Sequence, residues 1–232
     1  MFSIPSSSIF ASFVISLFFW LAAYFVSKTK NFSCLQKALT AHWITAGTIF
    51  FLFGFSSTIF HLFPEIYTFG ILYDAAIFFV LQAFLGIYYI LLKMVSSSKL
   101  RYLALLVTGG FLAYYLFYLF TRGVTYIRGG EPYLEASSST PQGYGFGATI
   151  TLIISFAVIT VFRDIKRKGV EGLNSVEFYQ HYAFLFFWGI SLLRVLFVLP
   201  GGFWTLLSIY ALIPLLNYIA LKKDRVPPLR TN

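Results

Sequence analysis

Of 232 residues, 59% are hydrophobic and only 11% are charged, with a formal net charge of +9. Soluble domains carry about 25% charged residues, so the composition excludes a soluble globular protein and points to a multi-pass protein whose solvent is the lipid bilayer. Seven apolar runs, 9–27, 39–63, 69–92, 102–121, 145–162, 182–199 and 203–221, each have the roughly 18–25 residues that a spanning helix needs. The expected fold is all-α: a single seven-helix transmembrane domain over residues 1–232, with no soluble domain between the runs.

Nothing before the first run is basic, and its apolar core is longer than that of a secretory leader, so 9–27 reads as a retained helix. Trp20 and Tyr24 fall toward its far end, where aromatic rings favour the interface. The loop after it holds Cys34, which has no second cysteine to pair with, and the sequon Asn31-Phe32-Ser33. Run two ends at Pro64, and the turn to run three is short enough to make the two helices antiparallel neighbours. Run four contains Gly109-Gly110, expected to allow a close helix contact, then Tyr114, Tyr115 and Tyr118, which could stack on a ligand.

The loop 122–144 is rich in Gly, Pro and Ser and reads as irregular structure, a lid or a binding loop. Residues 171–180 read as a short interfacial helix leading to His181. Run six carries Arg194, and Pro200-Gly201-Gly202 makes the turn to run seven, which Pro214 should kink. The serine triplets 96–98 and 137–139 are loop-like, and no internal repeat or heptad pattern is visible.

The positive charge is not spread as a nucleic-acid surface would spread it. Lys28, Lys30, Lys37, Lys93, Lys99, Arg101, Arg163, Lys166, Arg167, Lys168, Lys222, Lys223, Arg225 and Arg230 all follow odd-numbered runs. On the other side stand only Arg122 and Arg128, with Arg194 inside a run. By the positive-inside rule the N-terminus is outside and the C-terminus cytoplasmic, in a plasma or cytoplasmic membrane. The basic loops then meet anionic headgroups, each charge worth about 1 kcal/mol near the surface. Partners are the bilayer and a protein in the membrane or cytoplasm, with no nucleic acid.

This threading puts His61, Asp74 and Arg194 in the outer half of the membrane, with Ser57 one turn before His61. Charges in lipid pair with one another or face a wet cavity. Asp74 and Arg194 could therefore join two helices, or with His61 and Ser57 line an outer polar ligand site. His42 and His181 form a second pair at the cytoplasmic ends of runs two and six, where opposed imidazoles could hold one haem. His42 and His61 cannot share a metal, lying about 28 Å apart along one helix.

The pattern Ser57-x-x-x-His61 followed by Asp74 resembles part of the signature of the seven-helix membrane hydrolases related to alkaline ceramidases and adiponectin receptors. The resemblance implies a zinc site to which His61 and Asp74 would contribute. It covers about 20 residues, and run seven lacks the His-x-x-x-His pair that completes that family's site. No lysine in run seven could carry a retinal, and no phosphate-binding loop or diphosphate-binding acidic cluster occurs.

The expected function is thus binding or sensing in the membrane, receptor-like, or a non-catalytic subunit of a membrane complex. The alternative is a membrane-embedded enzyme or redox protein: a metal-assisted hydrolase at His61 and Asp74, or a single-haem carrier at His42 and His181. The sequence names no cofactor.

Overall fold

The structure is a computed structural model that describes residues 6–30, 32–66, 68–122, 125–128, 131–134, 141–168, 176–196 and 207–225. Its elements are α1 (Ser6–Ser27), α2 (Cys34–Leu62), α3 (Phe69–Met94) and α4 (Ser98–Arg122), then a hairpin of β1 (Thr125–Arg128) and β2 (Glu131–Leu134). They continue with α5 (Pro141–Lys168), α6 (Val176–Leu196) and α7 (Leu212–Arg225). The protein is all-α apart from that hairpin. α1 to α5 each contain a stretch long and apolar enough to cross a membrane. α6 is diluted by Glu177, Gln180 and His181 in its first turns, and α7 as described has only 14 residues.

Several helices outrun the apolar runs that announce them. An apolar run marks the part that sits in hydrocarbon, whereas the hydrogen-bond ladder continues until a cap ends it. α2 begins at Cys34 because Ser33 is held extended and the Gln36 side-chain oxygen accepts the Ser33 N–H at 3.2 Å. With the Ser33 side chain facing the Gln36 backbone N–H in return, the two residues form a capping box. Residues 176–180 are the first turns of α6 and not a separate interfacial helix, since their ladder runs unbroken into His181. A helical turn at 207–210 precedes α7, with the break at Ala211. The break follows from Pro214, which has no N–H to offer the Tyr210 carbonyl.

The segment 122–144 is not wholly irregular. β1 and β2 pair antiparallel, Thr125 opposite Leu134 and Arg128 opposite Glu131, and β2 lies beside α2 and α3. Alternating β-formers, Thr-Tyr-Ile before Gly-Gly and Tyr-Leu after it, satisfy a two-residue hairpin turn. Asn31, residues 171–175 and Pro200-Gly201-Gly202 lie outside the described residues.

The helices alternate in direction, as four ties at one end establish. The Lys30 N–H donates to Asp224 Oδ2 at 2.6 Å, joining the C-terminal ends of α1 and α7. Arg163 near the end of α5 donates to the Lys93 and Met94 carbonyls, the latter at 3.3 Å, and Lys93 Nζ stands 3.4 Å from Asp164. A helix leaves its last four carbonyls without internal donors, and a guanidinium at that end satisfies them and opposes the dipole. Cys34 Sγ lies 3.4 Å from the Tyr88 hydroxyl, and Lys223 Nζ donates to the Tyr179 hydroxyl at 3.4 Å. The basic residues therefore gather at one end of the bundle, and the α2–α3 turn with the hairpin stands at the other.

Between α1 and α2 the backbones come close because glycine lets them. A Cβ on Gly47 would stand 2.5 Å from the Trp20 indole and 3.0 Å from the Ser16 carbonyl oxygen, and one on Gly54 would stand 3.2 Å from Ser12 Cβ. Lipid is as apolar as leucine, so such close van der Waals packing is what holds spanning helices together. α1, α2, α6 and the helical turn before α7 then meet around Phe19, whose ring is 5.8 Å from Trp43, 5.2 Å from Phe187 and 5.3 Å from Tyr210.

α4 stands apart. A Cβ on Gly109 would meet only Phe84, at 3.6 Å, and one on Gly110 would meet nothing. The glycine pair thus makes no close helix contact among the described residues. Adjacent residues point about 100° apart around a helix, so two neighbouring glycines cannot line one seam.

Candidate functional site

The outer-end residues come first. Ser57 is half-buried one turn before His61, which is exposed in the last turn of α2, and Asp74 is exposed in the second turn of α3. Both ionisable groups belong to the end of the α2–α3 pair where the chain turns, next to the strand β2. Arg194 lies in the last turn of α6, and its side chain falls outside the described residues. Among the described residues the salt bridge is Lys93–Asp164, and no three His, Cys, Asp or Glu side chains come together as a metal site. A catalytic zinc usually needs three protein ligands. Of the tyrosines on α4, Tyr114 is 66% exposed and Tyr115 packs against the core.

His42 and His181 lie inside the bundle, near the starts of α2 and α6: His42 is fully buried and His181 is 2% exposed. The reason is the early start of α2, which puts His42 about 12 Å along the helix, where neighbouring helices close around it. Its ring centroid lies 5.0 Å from Phe184, 5.4 Å from Phe187 and 5.6 Å from Trp188. The His181 ring lies 5.9 Å from Tyr89 and 6.2 Å from Phe184, so the Phe184 ring touches both imidazoles. His181 Nε2 is 2.9 Å from the Ala157 carbonyl. A carbonyl only accepts, so that nitrogen carries the proton and is committed to α5, leaving Nδ1 as the other site.

Around these rings is a set of polar groups that a search for charges passes over. Gln82, Gln180 and Asn217 are all buried. The Asn217 amide donates to the Ile213 carbonyl at 2.9 Å, while its Oδ1 has no protein partner. Among the described residues, both ring nitrogens of His42, Nδ1 of His181, the indole nitrogens of Trp43 and Trp188, and the amide nitrogens of Gln82 and Gln180 likewise lack a partner. Trp188 sits against Gly86, where a Cβ would stand 3.0 Å from Cζ2 and 3.2 Å from Nε1. The signal is present in the sequence: single amides and indoles inside runs otherwise made of Phe, Leu and Ile.

No protein-family model matches the chain, and neither curated proteins nor solved structures are significantly similar to it. The Ser57–His61–Asp74 resemblance accordingly rests on those three residues alone.

Proposed function

We propose that the chain is an integral membrane binding or sensing protein, or a non-catalytic subunit of a membrane complex, with its N-terminus outside and its basic end cytoplasmic. The observation that carries this reading is the exposure of His61 and Asp74 at the end opposite the basic residues, beside the β1–β2 hairpin. Basic side chains are few on this end, and an ionisable pair left open to the surface can engage a headgroup or a partner's polar side chain. Arg194 and Ser57 belong to the same end of the bundle and complete the proposed patch. A receptor-like role or membership of a complex would deliver its output through another protein.

The test is purification from its native membrane in mild detergent, comparing the unaltered protein with His61→Ala and Asp74→Asn. The reading predicts a stoichiometric companion, protein or lipid, that both variants lose while keeping their melting temperature. Equal recovery in all three samples would overturn it. A reporter fused to the C-terminus that reads as extracellular would overturn the orientation.

A further inference from the structure

We infer that the interior of the bundle holds a second binding site, centred on His42, that takes a neutral hydroxyl group. The imidazole sets the first condition. A neutral ring always presents one N–H donor and one lone-pair acceptor. His42 is fully buried, and neither nitrogen has a partner among the described residues. The two nitrogens point away from each other and each needs its own partner; a hydroxyl, which both donates and accepts, can serve either one, whereas a ketone can only meet the N–H and an ammonium only the lone pair.

The surroundings narrow the class further. Trp188, whose ring lies 5.6 Å from that of His42, has an indole N–H that can only donate, and it too has no partner among the described residues. Gly86 lets this indole approach α3. No charged side chain stands near the His42 ring among the described residues, so nothing there would balance an ionic guest. The walls are Phe184, Phe187 and Trp43, apolar faces suited to an uncharged molecule. A hydroxyl of this kind comes either from an internal water or from the head of an uncharged lipid such as a diacylglycerol. The two sources share the hydroxyl chemistry and differ in whether the oxygen carries a second hydrogen or a carbon chain.

This site is separate from the outer patch at His61 and Asp74, and its test does not depend on that reading. His42→Phe keeps a flat ring and removes both nitrogens; His42→Gln keeps one donor group and one acceptor in a similar volume. A hydroxyl-bearing niche makes the glutamine variant the more stable of the two, with His42→Phe melting about 4 °C or more below the unaltered protein. If the niche is dry, deleting two orphaned nitrogens relieves a burial penalty, the phenylalanine variant melts highest, and the proposal falls. The ranking of the two variants decides even if one of them folds poorly.

Titration of the unaltered protein with 1,2-dioctanoylglycerol, tracked by tryptophan emission, then separates the sources. A saturable change that His42→Phe abolishes assigns a lipid hydroxyl. No change, together with the glutamine-over-phenylalanine ranking, assigns water.

Discussion

Two spans of this bundle are equally apolar and are used in opposite ways. In α2, 44% of the spanning window is buried inside the protein; in α4, 6% is. Hydropathy cannot separate them, because it measures transfer into lipid and both transfer alike. What separates them is the placement of small and polar residues. Gly47 and Gly54 are seven apart and share a face, so α1 can lie along both. In α4 the two glycines are adjacent, one toward Phe84 and the other toward open space. A spanning helix is recruited into a bundle by a seam that admits a neighbour's backbone, and α4 offers none.

That contrast breaks most readily at Gly47. Replacing it by leucine drives a side chain into the Trp20 indole and the Ser16 carbonyl. The indole is partly exposed and can turn away, but the backbone oxygen at 3.0 Å cannot. Overpacking of this kind costs about 1–3 kcal/mol, and Gly47→Leu should show it as a loss of folded protein in detergent and a lowered melting temperature. A neutral result would mean that the α1–α2 seam is not what fixes the hairpin.

The second test moves to the other way a helix is fixed here, by its end. Arg163 satisfies carbonyls of Lys93 and Met94 that α3 cannot satisfy itself. Because the guanidinium is only half-buried at the membrane surface, Arg163→Ala should cost about 1 kcal/mol. Its partner test is Asp164→Asn, which leaves the Lys93 ammonium, 7% exposed, without its carboxylate at 3.4 Å. A cycle with Lys93→Met isolates the part of that loss that belongs to the Lys93–Asp164 pair itself. Melting curves of the two single variants and the double variant read the coupling directly.

How far these features are legible in the sequence depends on the same physics. The seven helices are, because an apolar run of spanning length has few other uses, and so is the gathering of basic residues at one end. The Pro214 break is legible too, since a missing N–H acts wherever the residue falls. The hairpin at 125–134 is hidden by the Gly and Ser around it, although Gly-Gly between two short β-forming stretches carries its signal. The depth of His42 is not legible, because distance from the end of an apolar run is a poor gauge when the helix starts five residues earlier. Gln82, Gln180 and Asn217 are easily overlooked because an uncharged amide barely lowers the hydropathy of a phenylalanine-rich run.

A smaller effect belongs to Gly86, where the contact is with a ring and not a backbone. A methyl there would sit 3.0–3.3 Å from Trp188, a fully buried indole with little room to yield. Gly86→Ala should cost under about 1 kcal/mol, less than Gly47→Leu, because only a few tenths of an ångström must be found. Tryptophan emission should shift with it, as Trp188 is pushed off α3.

The smallest effect is the one the comparison depends on. Gly110→Leu adds a side chain to a helix face that already presents Leu106, Tyr114 and Phe117 to the exterior, and none of the described residues stands within 4 Å of the added carbon. Surface substitutions of this kind stay within about 0.5 kcal/mol, so the melting temperature in detergent should match that of the unaltered protein. Leu106→Ala should be equally silent. If Gly110→Leu were instead as damaging as Gly47→Leu, the face of α4 would be a seam after all, one whose second helix belongs to another chain. The difference between the two spans would then lie in which molecule supplies the neighbour.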